Sequence, residues 1–313
     1  MHKISIALLG SQYSPETDLD QLYGMIRAAG IDGIDFSLES NTFNAKNGYA
    51  DNFYKKDMDE LKSIFSRFKD ALERNGLAVA QTHGPFPTYK FEEGQEAYNA
   101  YLVEATKKCI EITAFLGGKY IVVHPAHSPN TVLYEEEKAV NLAFYPQLIE
   151  TAKQFGVKIC LENMWGRRGG PGTCIFESSC SDPREACEYI DTLNAMAGEE
   201  IFCFCFDAGH ANLCGKHMQN VIRTLGHRLQ TLHVHDTNKM DDVHTIPYSF
   251  CAQGGATITD WTGFLMGLRD IGYHGYINFE AMIAFRTYPA PLHPALCGMF
   301  GAIGRYFSSE IEK

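Results

Sequence analysis

Eight short apolar runs recur along this chain, and most are followed by a longer stretch with helical spacing. This alternation restricts the possible folds more than any other feature. The runs are KISIALL (3–9), GIDFSL (33–38), LAVAQTH (77–83), YIVVHP (120–125), ICLEN (159–163), FCFCFD (202–207), LQTLHVHD (229–236) and YINFEAM (276–282). Each is short, β-prone and apolar on both faces, the pattern of strands buried in a parallel sheet. The intervening segments carry helix signals. TDLDQLYGMIRAAG opens on a Thr/Asp cap and closes on glycine, MDELKSIFSRFKDALERNG closes on Gly76, and AYNAYLVEATKKCIEITAFLGG ends at Gly117. SDPREACEYIDTLN begins with a cap and an early proline, TDWTGFLMGLRDIGY precedes the last run, and PALCGMFGAIGRYFSSEIEK closes the chain. Eight strand–helix units predict a single (β/α)8 TIM barrel over residues 1–313. A doubly wound open sheet is the alternative, but no GxGxxG opens the first unit. Residues 40–56 and 164–180 read as long loops, the second Gly-rich (GRRGGPG) and expected to fold over the active face.

Composition fits such a fold. Hydrophobic residues make up 45% of 313, enough for a well-buried core, and the length suits one barrel. A net charge of -11 repels phosphate backbones, so nucleic acid is not an expected partner. The ten cysteines form no CxxC pair, and several lie inside apolar runs, as reduced thiols used for packing do. The N-terminal apolar run is too short for a signal peptide, and no stretch reaches the roughly 20 apolar residues of a membrane span. A cytoplasmic protein is expected.

Function is written at the ends of the runs. In a TIM barrel the reacting groups sit at the C-terminal ends of strands. Here the third run ends at His83, the fourth at His124, the fifth at Glu162, the sixth at Asp207, the seventh at His233 and His235, and the eighth at Glu280. Three carboxylates converging in one barrel mouth would repel one another, and each is costly to bury alone. A divalent cation resolves the conflict. Mixed carboxylate and imidazole ligands suit one Mn2+, Co2+, Mg2+ or Zn2+ with positions left open for substrate.

The series LEN, FDAGH, HVHD and INFE resembles the xylose isomerase-like TIM barrels. These include sugar phosphate isomerases and epimerases, ketose 3-epimerases, inosose dehydratases and abasic-site endonucleases. The resemblance runs from ISIALLG to the last helix. It implies that Glu162, Asp207, His233 and Glu280 ligate the metal, and that His210, three residues after Asp207, sits near the substrate's oxygens. The family's H-x-x-[DE] motif favours His233 over His235, because Asp236 follows at the right interval. Position 239, where ketose 3-epimerases place a basic substrate-binding residue, is Lys239. Position 168, where they place a glutamate, is Arg168, which points towards an anionic substrate. His83 is expected to line the pocket with Phe86 and Tyr89, His124 to meet a sugar hydroxyl, and Trp165 to stack on a sugar face or simply to pack. Asp242-Val243-His244 matches the spacing of an Asp-x-His that binds further metal in the abasic-site endonucleases, so His244 is a candidate neighbour of the site.

The activity implied is that of a metal-dependent sugar or sugar-phosphate isomerase or epimerase. Glu162 and Glu280 would act as the two acid/bases around a metal-stabilised enediolate. The alternatives are an inosose dehydratase-like lyase, an abasic-site endonuclease-like phosphodiesterase and a non-catalytic sugar-binding barrel. The expected partners are a small carbohydrate and, as in many such barrels, further copies of the chain.

Overall fold

The computed structural model describes residues 1–8, 10–14, 16–39, 53–128, 134–170 and 173–313. Eight parallel strands line up in the order β10-β1-β2-β3-β4-β5-β8-β9. They are β1 (Ile4–Ala7), β2 (Gly33–Ser37), β3 (Ala78–His83), β4 (Tyr120–Val122), β5 (Lys158–Glu162), β8 (Phe202–Asp207), β9 (Leu229–His233) and β10 (Ile277–Phe279). The first and last of them pair through Ile4 and Ile277. β9 and β10 meet just past the end of β9: the Val234 amide donates to Asn278 O (2.9 Å), and the Glu280 amide donates to Val234 O (3.1 Å). That link closes the sheet into a TIM barrel, the architecture the eight runs predict.

The strands are buried on both faces, but the two faces differ in chemistry. Outward positions such as Ile4, Ile6, Ile34, Phe36, Ile159, Leu161, Phe204, Phe206, Ile277 and Phe279 join one apolar core with the surrounding helices. Alternate positions face the barrel axis. They carry small or polar groups such as Ser5, Asp35, Gln81, Cys160, Cys203, Cys205 and Asn278, all buried. The expectation of strands apolar on both faces therefore holds only for the outer one. The narrow interior is filled by side chains that hydrogen-bond across the axis, such as Ser5 to Asn278 and Gln81 to Asp35.

Helix ends follow their sequence signals. α1 (Leu19–Ala28) is capped by Asp18, which accepts from the Gln21 amide, and α2 (Met58–Arg74) by Asp57, which accepts from Glu60. α3 (Glu96–Phe115) follows β3, and α4 (Tyr134–Phe144) and α5 (Ile149–Phe155) follow β4. α6 (Pro183–Ala197) takes Pro183 in its first turn behind the Asp182 cap and ends at Gly198, whose φ of 74° suits glycine. α7 (Ala208–Leu213) and α8 (Met218–Leu225) follow β8, α9 (Trp261–Asp270) precedes β10, and α10 (Ile283–Thr287) and α11 (His293–Ile311) complete the chain. No helix among the described residues is long and apolar enough to cross a membrane.

One expectation needs correction. The segment 164–180 is not an open loop: β6 (Trp165–Arg167) and β7 (Ile175–Glu177) form an antiparallel ribbon after β5. Most of the 40–56 segment lies outside the described residues.

Candidate active site

The polar strand ends converge. His233 lies with its Nδ1 3.2 Å from Glu162 Oε2, 3.5 Å from Glu280 Oε2 and 3.9 Å from Asp207 Oδ2. Four strands thus bring one imidazole and three carboxylates to a single point, all buried. Asp207 shows how a strand end is aimed. It is both the last residue of β8 and the N-cap of α7, where its Oδ1 accepts from the His210 amide at 2.6 Å. Both its oxygens face His235 Nε2, Oδ2 at 3.0 Å. Asn163 clamps the same corner, accepting from the Asp207 amide and donating to Asp207 O, both at 2.8 Å.

Three flanking histidines are oriented by main-chain carbonyls. His83 Nδ1 donates to Gly84 O, His210 Nδ1 to Asn163 O and His244 Nδ1 to Glu280 O. Each contact fixes a tautomer and turns Nε2 inward. His83 Nε2 then faces His124 Nε2 at 2.9 Å, and His124 Nε2 lies 3.2 Å from Glu162 Oε2. On the other flank Asp242 Oδ2 lies between His210 Nε2 (3.2 Å) and His244 Nε2 (3.0 Å). His235 stacks on His244 with ring centres 4.0 Å apart. Potential ligand atoms fall within 4.8 Å of one another in several sets, including Asp207–His233–Glu280, His83–His124–Glu162 and His210–His235–Asp242–His244.

The electrostatics are those of buried carboxylates packed against imidazoles. Burial pushes the Glu162 carboxyl up, but His233 and His124 outweigh it and hold the group well below the ordinary range. Burial raises Glu280, and His233 and His244 only partly offset it. Burial lowers His233 and His210, yet the neighbouring acidic groups hold both rings well above the usual value. For His244, Asp242 and Glu280 overcome burial and carry it to about 10. His124 goes the other way, because burial dominates the pull of Glu162. His210, His233 and His244 thus favour the protonated form beside the carboxylates, whereas His124 favours the neutral one.

Buried atoms without an aligned hydrogen-bond partner gather at the same place: Glu162 Oε2, both ring nitrogens of His233, Nδ1 of His235 and of His124, and Asp242 Oδ1. Buried polar atoms are seldom left this way, so several around one point fit a bound cation. The donors are oxygens and imidazoles, with one thiol, Cys205, beside Glu162 and His233, which burial keeps from ionising. Such a set suits Mn2+, Co2+, Mg2+ or Zn2+.

The remaining expected residues are placed unevenly. Trp165 sits beside His210, ring centres 6.4 Å apart, and Phe86 lies edge-on to His124 at 4.9 Å. Tyr89 packs on Phe91 instead. Arg168 is exposed over the ring of Phe176, and Lys239 is exposed with φ of 61°, so neither joins the cluster. The arginine at the mouth is Arg167. Its guanidinium lies over Trp165 and pairs with Asp241 at 2.7 Å, and it also donates to Met240 O. Asp236 does not touch His233. It accepts from the Thr237 and Phe250 amides and from Thr259, holding the loop after β9. Asp35 and Glu39 were missed from sequence: Asp35 Oδ2 lies 3.2 Å from His233 Nε2, and Glu39 Oε1 3.4 Å from His83 Nδ1. The signal for Asp35 was one acidic residue inside an apolar strand.

Residues 23–284 match the family model described as xylose isomerase-like TIM barrel. The chain belongs to that family. Among curated relatives, MJ1311 of Methanocaldococcus jannaschii is 28% identical over 202 residues, 63% of this chain and 62% of that protein. An inosose isomerase of Bacillus licheniformis is 24% identical over 195 residues, 61% of this chain and 63% of that one. The matches thus span a little under two thirds of these relatives' length. A solved L-ribulose 3-epimerase superposes with a TM-score of 0.69 at 19% identity, covering 100% of this chain and 95% of that one. The 3-keto-D-glucoside 4-epimerase YcjR of E. coli superposes with a TM-score of 0.65 at 17% identity, covering 98% and 100%. At such identities these structures establish the shared family barrel.

Proposed function

We propose that the chain is a divalent-metal-dependent sugar or sugar-phosphate isomerase or epimerase that moves a proton beside a carbonyl. The observation that carries this reading is the pair Glu162 and Glu280, from separate strands, flanking one point next to His233 Nδ1. Glu162, Asp207, His233 and Glu280 would hold the ion. Bound there, it supplies Lewis-acid stabilisation of the oxyanion that develops when the carbon next to a carbonyl loses its proton. The chain's own work is proton handling. Glu162, kept ionised by His233 and His124, is suited to take a proton from carbon. Glu280, raised by burial, is suited to return one to the opposite face. A base on each side inverts a centre, which is epimerisation. His210, His235, His83, His124 and His244 ring the point and can donate to substrate oxygens. Trp165 and Phe86 supply apolar walls.

The family match and the epimerase neighbours support the reaction class, and the name of the Bacillus relatives makes inososes natural members of a substrate panel. The test incubates Mn2+-loaded protein in D2O with ketoses, ketose phosphates and inososes. Deuterium is expected on the carbon next to the carbonyl of at least one. No exchange with any of them sinks the proposal.

A second reading, an abasic-site phosphodiesterase, is favoured by one observation. His83–His124–Glu162 and His210–His235–Asp242–His244 flank the inner group with ligand atoms for additional ions. The charge of -11 opposes a DNA partner. Metal content separates the two: one equivalent supports the sugar enzyme, whereas three with nicking of abasic duplex supports the phosphodiesterase.

A further inference from the structure

His233 is approached from below by a carboxylate that the proposed chemistry does not use. Asp35 lies in β2, 2% exposed, with Oδ2 3.2 Å from His233 Nε2, an ion-pair contact that a small rotation of the ring would align as a hydrogen bond. The same oxygen accepts from Gln81 Nε2 at 2.9 Å and from Asn278 Nδ2 at 2.8 Å. Asn278 Oδ1 in turn accepts from Ser5 Oγ at 2.7 Å, and both amides reach Leu232 O. Four strands, β1, β2, β3 and β10, therefore build a buried polar layer whose one charged member touches the imidazole.

A carboxylate is a costly choice for that layer. Two neutral amides do not neutralise it, and an uncompensated buried charge is costly. A neutral asparagine would satisfy Gln81 and Asn278 with less penalty if packing were the only need. What a carboxylate adds is a strong acceptor for an imidazole N–H. A proton held on Nε2 leaves the Nδ1 lone pair facing Glu162, Asp207 and Glu280. Imidazole ligands of metals commonly have their second nitrogen fixed by a carboxylate in this way.

We propose that Asp35 is the positioning residue of the site, holding the His233 proton on Nε2 so that Nδ1 is presented as a ligand. The inference rests on the reading of His233 as a metal ligand. It is tested by Mn2+ titration, following free Mn2+ by electron paramagnetic resonance, of the wild-type chain, Asp35→Asn and Ser5→Ala. Ser5→Ala disturbs the same layer without touching the imidazole. Asp35→Asn is expected to weaken Mn2+ binding about ten- to a hundredfold, and Ser5→Ala less than about twofold. Equal affinity in Asp35→Asn and wild type overturns the proposal and leaves the metal reading intact, as does an equal loss in Ser5→Ala. A wild-type chain that binds no Mn2+ overturns both. Should Asp35→Asn not fold, 1H–15N spectra of the Zn2+-loaded wild type decide: a His233 Nε2 proton shifted far downfield by a carboxylate acceptor supports the proposal, and one at the position of an imidazole N–H without such an acceptor overturns it.

Discussion

His235 fills space that no side chain at position 209 could share: a Cβ there would fall 1.9 Å from His235 Cε1. The glycine of FDAGH is thus a spatial requirement of the histidine across from it. Gly209→Ala is expected to destabilise the protein by about 1–3 kcal/mol in denaturant titrations, the range for overpacking a tight core, and to push His235 off Asp207. Glu162→Gln and Glu280→Gln are each expected to cut solvent-deuterium exchange by about 10²-fold or more, while Trp165→Phe leaves it nearly unchanged. At this scale much was legible. Titratable residues closing successive apolar runs have little reason to recur unless they meet, and Glu162, Asp207, His233 and Glu280 do meet. Asp207 is a helix cap and a member of the cluster at once: Oδ1 caps α7, and both oxygens face His235 Nε2. Asp35 was not legible as a partner of His233, because β2 and β9 are not neighbours in the sheet and the contact is made across the barrel interior.

The ribbon of β6 and β7 is the element that shapes the mouth. Successive residues of a strand point to opposite sides, so Arg167 reaches Asp241 while Arg168 turns to Phe176. The family resemblance pointed to Arg168 by its interval from Glu162, but a one-residue step along a strand exchanges the two faces. Arg167→Ala is expected to raise KM in steady-state kinetics with little change in kcat, and to lower global stability by under about 1 kcal/mol, since the pair is near the surface. Behind the ribbon, at the start of α6, burial pushes the Glu185 carboxyl up to about 7 from an ordinary 4.5. The folded chain then holds a proton that the unfolded chain has released between those two values. Stability therefore falls as pH rises from 4.5 through 7 and levels off above. Glu185→Gln removes the effect. Its advantage over wild type is expected to grow by about 1 kcal/mol across that window, a value discounted for partial exposure, as read by urea unfolding at each pH.

At the scale of the molecule, the fold was legible as a count of strand–helix units, because a parallel strand needs a crossover and eight crossovers close a ring. A ligand held at a hundred times its dissociation constant adds about 2.7 kcal/mol to the folded state. Stripping the proposed ion with a chelator is therefore expected to lower the midpoint of thermal unfolding by several degrees, and restoring Mn2+ to recover it. The barrel's ring of hydrogen bonds is also uneven. β5 and β8 share four register pairs, whereas among the described residues β9 and β10 share backbone hydrogen bonds only where Val234 meets Asn278 and Glu280. His233 and Glu280 stand on the two lips of that narrow seam. An ion shared by both would act as a rivet across the weakest joint of the wall. Removing it should let the seam breathe, so that the Val234 and Glu280 amides exchange with D2O sooner than those of β5 and β8, and slow again when metal returns.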